Sequence, residues 1–123
     1  MIKDKSKIVS FYENSGEIRY KATLLGDYKK GNRETPKLIR VFKMFEEDKD
    51  FAWECISELL KSNNVVVRTD GAAYCLALGI QTQTAVNVLE EISSNPENGI
   101  FGFNAKMTLK VWREDGTLSM YSK

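Results

Sequence analysis

The chain contains no histidine, and this absence removes the commonest general base of enzyme active sites. Ser-His and Cys-His nucleophile pairs cannot form without it, and most zinc-ligand sets are excluded. A phosphate-cradling glycine motif and a nucleophile elbow are missing as well. We therefore predict that the protein is not an enzyme and that it uses no cofactor and no metal. Catalysis by two carboxylates that face one pocket stays open as an alternative.

Cysteine and long apolar runs are also scarce. Cys55 and Cys75 form no CxxC motif, and the charged start of the chain is not followed by the apolar core of a secretory signal. No apolar run approaches the ~20 residues of a membrane span. The sequence thus predicts two reduced, buried cysteines in a cytoplasmic protein that has no membrane partner.

Neither sign of charge is in excess, since 18 lysines and arginines oppose 17 acidic residues and leave a net charge of +1. This balance argues against a surface that is basic overall, so any electrostatic specificity must come from local patches. A length of 123 residues is typical of one domain with a single core.

Proline is rare, and apolar residues recur with the period of a helix rather than that of a strand. Residues Val65–Gly79 are apolar on nearly every side, as is typical of a helix inside a protein, and Gly79 is a suitable helix stop. We predict an all-α fold of six or seven helices, with this one at its centre. The other predicted helices cover 3–14, 17–30, a segment from Thr35, a segment after Asp50, a segment from Thr82 or Thr84, and 100–113.

The helix boundaries are predicted from glycine, asparagine and capping residues. Asn14-Ser15-Gly16 separates the first two helices, Ser15 caps the second, and Gly26 is tolerated inside it. The remaining boundaries are Gly31-Asn32, Thr35-Pro36 with Thr35 as N-cap, Asp50 as the cap of the next helix, and Asp115-Gly116. The tail, 117–123, is expected to dock through Leu118, Met120 and Tyr121.

The predicted core follows the helical stripes, and both tryptophans, Trp53 and Trp112, fall at positions compatible with it. Tyr20, Phe103 and Tyr121 are better candidates for exposed aromatics at an interface. The core members are Phe42, Phe45, Ile56, Leu59, Ala72, Cys75, Leu76, Leu89, Ile92, Ala105 and Leu109.

An internal repeat appears at a shift of 33 residues, which superimposes Ala52 on Ala85 and Ala72 on Ala105. The same shift aligns three further pairs, Ile56 with Leu89, Leu59 with Ile92, and Leu76 with Leu109. Each unit would be a helix, a turn and a second helix, which must stack on a neighbour to bury its apolar face. This divides the single domain into an N-terminal cap (1–48), two repeat-like helix pairs (50–116) and the tail.

The central helix resembles the inner helix of a HEAT repeat, through Val67-Arg68, Gly71-Ala72, Cys75 and Leu78-Gly79. Two departures are Gly71, where alanine is usual, and the large Tyr74 at a small position. Residues Cys55 to Trp112 look like a bacterial family of small HEAT-like proteins of unknown function, and similar short folds occur among immunity proteins that neutralise toxins. The resemblance implies a HEAT/armadillo-like stack of antiparallel helix pairs, an α-α superhelix. It also implies a protein-binding role as an immunity protein against a toxin domain, for which we expect a nuclease.

The candidate partner-binding residues are acidic, because such a face could bind the basic surface of a nuclease. Ordinary solvated helix faces are the alternative reading of such a run. The acidic candidates are Glu46, Glu47, Asp48, Asp50 and Glu54.

The alternative function is a nucleic-acid-binding module that uses the basic turn at 29–37. Lys29, Lys30, Arg33 and Lys37 would need to form one stripe with Arg19, Lys21 and Lys43 to bind phosphates. Because acids are as numerous as bases, nucleic acid is the less expected partner. Arg68 is predicted to be structural, binding a carboxylate or helix-end carbonyls.

Overall fold

The computed structural model describes residues 3–121, and every regular element in that range is helical. The fold class is therefore all-α, as predicted. The α-helices are α1 (Lys5–Leu25), α2 (Tyr28–Asn32), α3 (Thr35–Glu47), α4 (Lys49–Leu59), α5 (Val65–Leu78), α6 (Thr82–Ser94) and α7 (Ile100–Asp115). A single 3₁₀ turn, Pro96–Asn98, links α6 to α7.

Helix α5 lies at the centre, as its apolar sequence predicts. It packs against α1, α4, α6 and α7. The Asn64 side chain caps its start by accepting a hydrogen bond from the Val66 amide at 2.8 Å. Gly79 ends it in the left-handed conformation, at φ 71°, which costs glycine no steric strain.

The prediction that Asn14-Ser15-Gly16 breaks the N-terminal segment is wrong, because α1 runs through it without interruption. Ser15 and Gly16 are buried in the middle of that helix, so Ser15 is not an N-cap. A Cβ atom at Gly16 would collide with the Val67 side chain of α5. Glycine is therefore present here to let two helices approach closely.

Gly26, expected inside a helix, instead ends α1 in the left-handed conformation at φ 69°. The Asp27 side chain then caps the short α2 by accepting from the Lys30 amide at 3.2 Å. Two of the predicted N-cap residues are also wrong. Asp48 rather than Asp50 caps α4, accepting from the Phe51 amide at 3.1 Å, and Glu34 rather than Thr35 precedes α3.

The predicted core is confirmed, since all eleven of its members are buried. The ten positions that the 33-residue shift pairs are buried as well, and they lie in α4, α5, α6 and α7. In the tail, Leu118, Met120 and Tyr121 pack against the core as predicted, whereas residues 122 and 123 lie outside the described residues.

Trp53 departs from the predicted core, because it is 50% exposed on α4. Its helical neighbours Ala52, Cys55 and Ile56 occupy the inward face instead. Trp112, by contrast, packs partly buried against the core.

Candidate functional site

A buried ion pair joins α1 to α5. Arg19 donates from Nη1 to Asp70 Oδ1 at 3.0 Å and from Nη2 to Oδ2 at 2.7 Å, so the two planar groups meet in a bidentate arrangement. Their side chains are 15% and 17% exposed. Arg19 Nε also donates to Ser15 Oγ at 3.1 Å, one helical turn earlier. This geometry holds the guanidinium plane fixed.

Polar contacts continue from this pair toward the start of α3. Ser15 hydrogen-bonds the buried Glu34 carboxylate, which also accepts from Lys37 at 3.2 Å. Burial favours the neutral acid, but the hydrogen bonds from Ser15 and Lys37 outweigh it and lower the pKa of Glu34. Glu34, Ser15, Arg19 and Asp70 thus form one buried network across three segments.

On the other side of Asp70, the hydroxyls of two buried tyrosines meet. Tyr12 of α1 donates to Tyr74 of α5 at 3.0 Å. Burial raises the pKa of both tyrosines, and the nearby Asp70 carboxylate raises both further. The large side chain of Tyr74 therefore makes a polar and aromatic contact with α1.

The energetics of the ion pair are balanced rather than strongly favourable. Burial raises the pKa of Asp70, while the hydrogen bonds and charge of Arg19 oppose that shift. The same carboxylate raises the pKa of Arg19 against the effect of burial. Desolvation therefore offsets much of the attraction, and an apolar pair of similar size could fill this space at little cost. Such a pair at the edge of a cavity marks a candidate functional site.

The ion pair lines a cavity of about 360 Å³ formed by α1, α2, α3, α5 and α7. Its apolar lining comes from Leu38, Val66 and Phe101, and its polar lining is mostly hydroxyl and amide side chains. A second cavity of about 130 Å³ also borders Asp70 and shares Thr35 and Leu38 with the first. The structure therefore assembles a concave site that sequence reasoning missed.

One signal in the sequence could have pointed to this site. Asp70 is the one acidic residue in the mostly apolar α5, where a buried carboxylate requires a partner. The identity of that partner was not visible, because Arg19 lies 51 positions away.

The five predicted partner-binding acids lie around the junction of α3 and α4, but two of them are already engaged. Glu46 accepts a hydrogen bond from the Tyr121 hydroxyl. Asp48 caps α4 and accepts from Lys3 at 3.1 Å, and these hydrogen bonds lower its pKa. Glu47, Asp50 and Glu54 are exposed. The exposed Trp53 lies next to Glu54 on α4, so an aromatic side chain belongs to the same surface.

The basic residues form a less continuous surface than the nucleic-acid alternative requires. Arg19 is largely buried against Asp70, and Lys21 lies 3.0 Å from Glu17. Lys37 binds Glu34, and Lys43 lies over the Tyr121 ring. Lys29, Lys30 and Arg33 remain exposed around α2.

Arg68 and the cysteines have structural surroundings, as predicted. Arg68 Nη1 donates to the Ser62 carbonyl, just beyond the end of α4, at 2.8 Å. Both cysteines are free and buried. Burial raises the pKa of the Cys55 thiol to about 11 and that of Cys75 to about 12, so neither is a ready nucleophile at neutral pH.

Three comparisons with known proteins return nothing: no family model, curated protein or solved structure matches the chain. Within residues 3–121, no three cysteine or acidic side chains cluster in a way that could hold a metal ion. None of the helices in that range is long and apolar enough to cross a membrane.

Proposed function

We propose that the protein is a non-catalytic protein-binding module, and that its most specific role is that of an immunity protein. The partner would be a toxin domain, for which a nuclease with a basic active-site surface is the expected type. Binding would block access to that active site without any chemistry by this chain.

The observation that carries the proposal is the exposed Trp53 among acidic side chains on α4. Trp53 is 50% exposed, and Asp50 and Glu54 are exposed on the same helix. Tryptophan is enriched among the residues that dominate binding energy, and acidic neighbours steer a basic partner and exclude wrong ones. A rigid helix also loses little conformational entropy on binding.

Glu47, Asp50 and Glu54 are the acids best suited to contact a partner, since Glu46 and Asp48 are hydrogen-bonded within the chain. We name Trp53, Glu47, Asp50 and Glu54 the α4 surface. Of the five acids that the sequence suggests, these three can be changed without removing the α4 cap at Asp48 or the contact of Glu46 with Tyr121 in the tail.

The test is binding to the product of a toxin gene adjacent to the gene for this chain, measured by calorimetry after co-purification. Trp53→Ala should weaken binding by roughly 2 kcal/mol, about thirtyfold. Reversal of Glu47, Asp50 and Glu54 to lysine should mainly slow association and reduce its salt dependence.

Matched control positions lie outside α3 and α4. Phe103→Ala, which removes another exposed aromatic side chain, is the control for Trp53→Ala. Replacement of the exposed Glu91, Glu97 and Asp115 by lysine changes the net charge by the same amount as the triple reversal on the α4 surface. Unchanged affinity of the α4-surface variants would move the interface elsewhere. Absence of any complex with the adjacent toxin would remove the immunity role.

A further inference from the structure

We propose that the cavity beside Arg19 and Asp70 binds a small neutral ligand that presents adjacent hydroxyl groups, such as a sugar ring. The ring could be a free monosaccharide or the ribose of a nucleoside. This site is separate from the α4 surface, so its test does not depend on the proposed function.

Charge balance in the cavity favours a neutral ligand. Among the described residues that line it, Arg19 and Asp70 carry the charges, and they neutralise each other. An anion would meet the Asp70 carboxylate, and a cation would meet the guanidinium. A charged ligand would therefore lose its hydration without gaining an unopposed counter-charge.

The hydrogen-bonding groups of the ion pair are only partly used. Arg19 has five N–H hydrogens and uses three of them, toward Ser15 and the two oxygens of Asp70. Each Asp70 oxygen accepts one of these bonds and retains a further lone pair. Donors and acceptors thus lie side by side, so one ligand hydroxyl could donate to Asp70 while its neighbour accepts from Arg19.

The rim extends this pattern to several hydroxyl groups rather than one. Thr23, Asn32, Thr35 and Asn104 line the cavity and are exposed, and within residues 3–121 their side chains make no hydrogen bond of their own. Thr69 differs, because its hydroxyl already donates to the Val65 carbonyl at 2.8 Å. Threonine hydroxyls and asparagine amides can both donate and accept, as a polyhydroxylated ligand requires.

The apolar lining suits the carbon face of such a ring. Phe101 lies against the cavity and is held in place by Tyr20, whose ring stacks on it with centroids 4.6 Å apart and an interplanar angle of 7°. The volume of about 360 Å³ falls at the small end of the range for ligand pockets. A ring with a polar edge and an apolar face fits this combination.

The experiment titrates ¹⁵N-labelled protein with D-glucose, adenosine, 2′-deoxyadenosine, acetamide and inorganic phosphate, followed by amide chemical shifts. Saturable shifts at residues around Arg19 and Asp70 are expected with glucose or adenosine, with a dissociation constant on the order of 1 mM. Tighter binding of adenosine than of 2′-deoxyadenosine, which keeps the base but lacks the diol, would identify ribose as the source of the diol, and binding of glucose would identify a free sugar. Acetamide, which has no hydroxyl group, should bind more weakly than either glucose or adenosine.

Rim variants separate this site from unspecific binding. Thr23→Val and Asn104→Ala should each weaken binding about three- to tenfold, as expected for one lost hydrogen bond. Thr84→Val, at an exposed threonine of α6, is the matched control and should leave affinity unchanged. The proposal is overturned if neither glucose nor adenosine gives saturable shifts, if phosphate or acetamide binds more tightly, or if the rim variants bind like the control.

Discussion

At the scale of single residues, the Arg19–Asp70 pair shows how a charge can be kept inside a small helical protein. Its two hydrogen bonds, at 2.7 and 3.0 Å, and its limited exposure set it apart from the surface pairs of this chain. Arg113 and Glu90, for example, approach to 2.9 Å but are 54% and 55% exposed. Ion pairs of similar length therefore differ in interaction energy, because water screens the exposed pair more than the largely buried one.

A double-mutant cycle on the buried pair tests this difference. Asp70→Leu or Arg19→Met alone should lower the free energy of unfolding by about 3 kcal/mol, because each leaves an unpaired buried charge. The loss of unfolding free energy in the double variant should be clearly smaller than the sum of the two single losses. Chemical denaturation of the four proteins measures the coupling.

The exposed pair is the control for that cycle. Glu90→Leu and Arg113→Met should couple by less than about 1 kcal/mol. Strictly additive losses at Arg19 and Asp70 would contradict the account of the buried pair.

At the scale of helices, the contact between α1 and α5 depends on a glycine in the middle of α1. Gly16 lies against Val67, whose branched side chain has little rotamer freedom in a helix. This contact places Tyr12, Ser15 and Arg19 opposite α5, so the same approach builds both the tyrosine contact and the ion pair. Close packing and the candidate site are thus one structural arrangement.

Gly16→Ala should therefore destabilise the protein by about 1–3 kcal/mol through overpacking, despite the better helix propensity of alanine. Thermal or chemical unfolding measures this loss. Gly31→Ala is the matched control in α2, because its Cβ would meet Ala22 at an ordinary 3.6 Å. That change should be neutral or stabilise by up to about 1 kcal/mol, and an equal loss at both glycines would contradict the packing argument.

At the scale of the whole molecule, the buried network connects α1, α5 and the start of α3 around one cavity. Glu34 lies at the α3 end of this network, where Ser15 and Lys37 stabilise its ionised form. Its folded-state pKa lies below the ordinary value of 4.5. The stability it contributes is therefore fully present above that value and is lost as the pH falls through the folded-state pKa.

Glu34→Gln should accordingly be less stable than the wild type at neutral pH, and the difference should shrink as the pH falls below 4.5. The raised pKa of Asp70 has the opposite effect on the pH dependence of the unfolding free energy. Asp70 is present in both proteins, so its contribution cancels from the difference between them. The free energies of unfolding of the wild type and Glu34→Gln, measured by chemical denaturation across this pH range, show whether the difference shrinks on acidification. Glu47→Gln, at an exposed side chain, is the control and should differ little from wild type at any pH. A Glu34→Gln difference that grew on acidification would contradict the network.

The sequence by itself determined the fold class, the central helix, the eleven core residues and the burial of the ten positions that the 33-residue shift pairs. These features follow from helical periodicity, which neighbouring residues specify, whereas the caps predicted at Ser15, Thr35 and Asp50 were wrong. Tertiary structure decided the role of Gly16, the exposure of Trp53 and the meeting of Arg19 with Asp70. A glycine within a predicted helix indicates a break, unless a second helix packs where its side chain would be. An ion pair between residues 51 positions apart produces no pattern in the local sequence. Which residues face each other across helices depends on the packing of the whole chain, and that packing built the cavity.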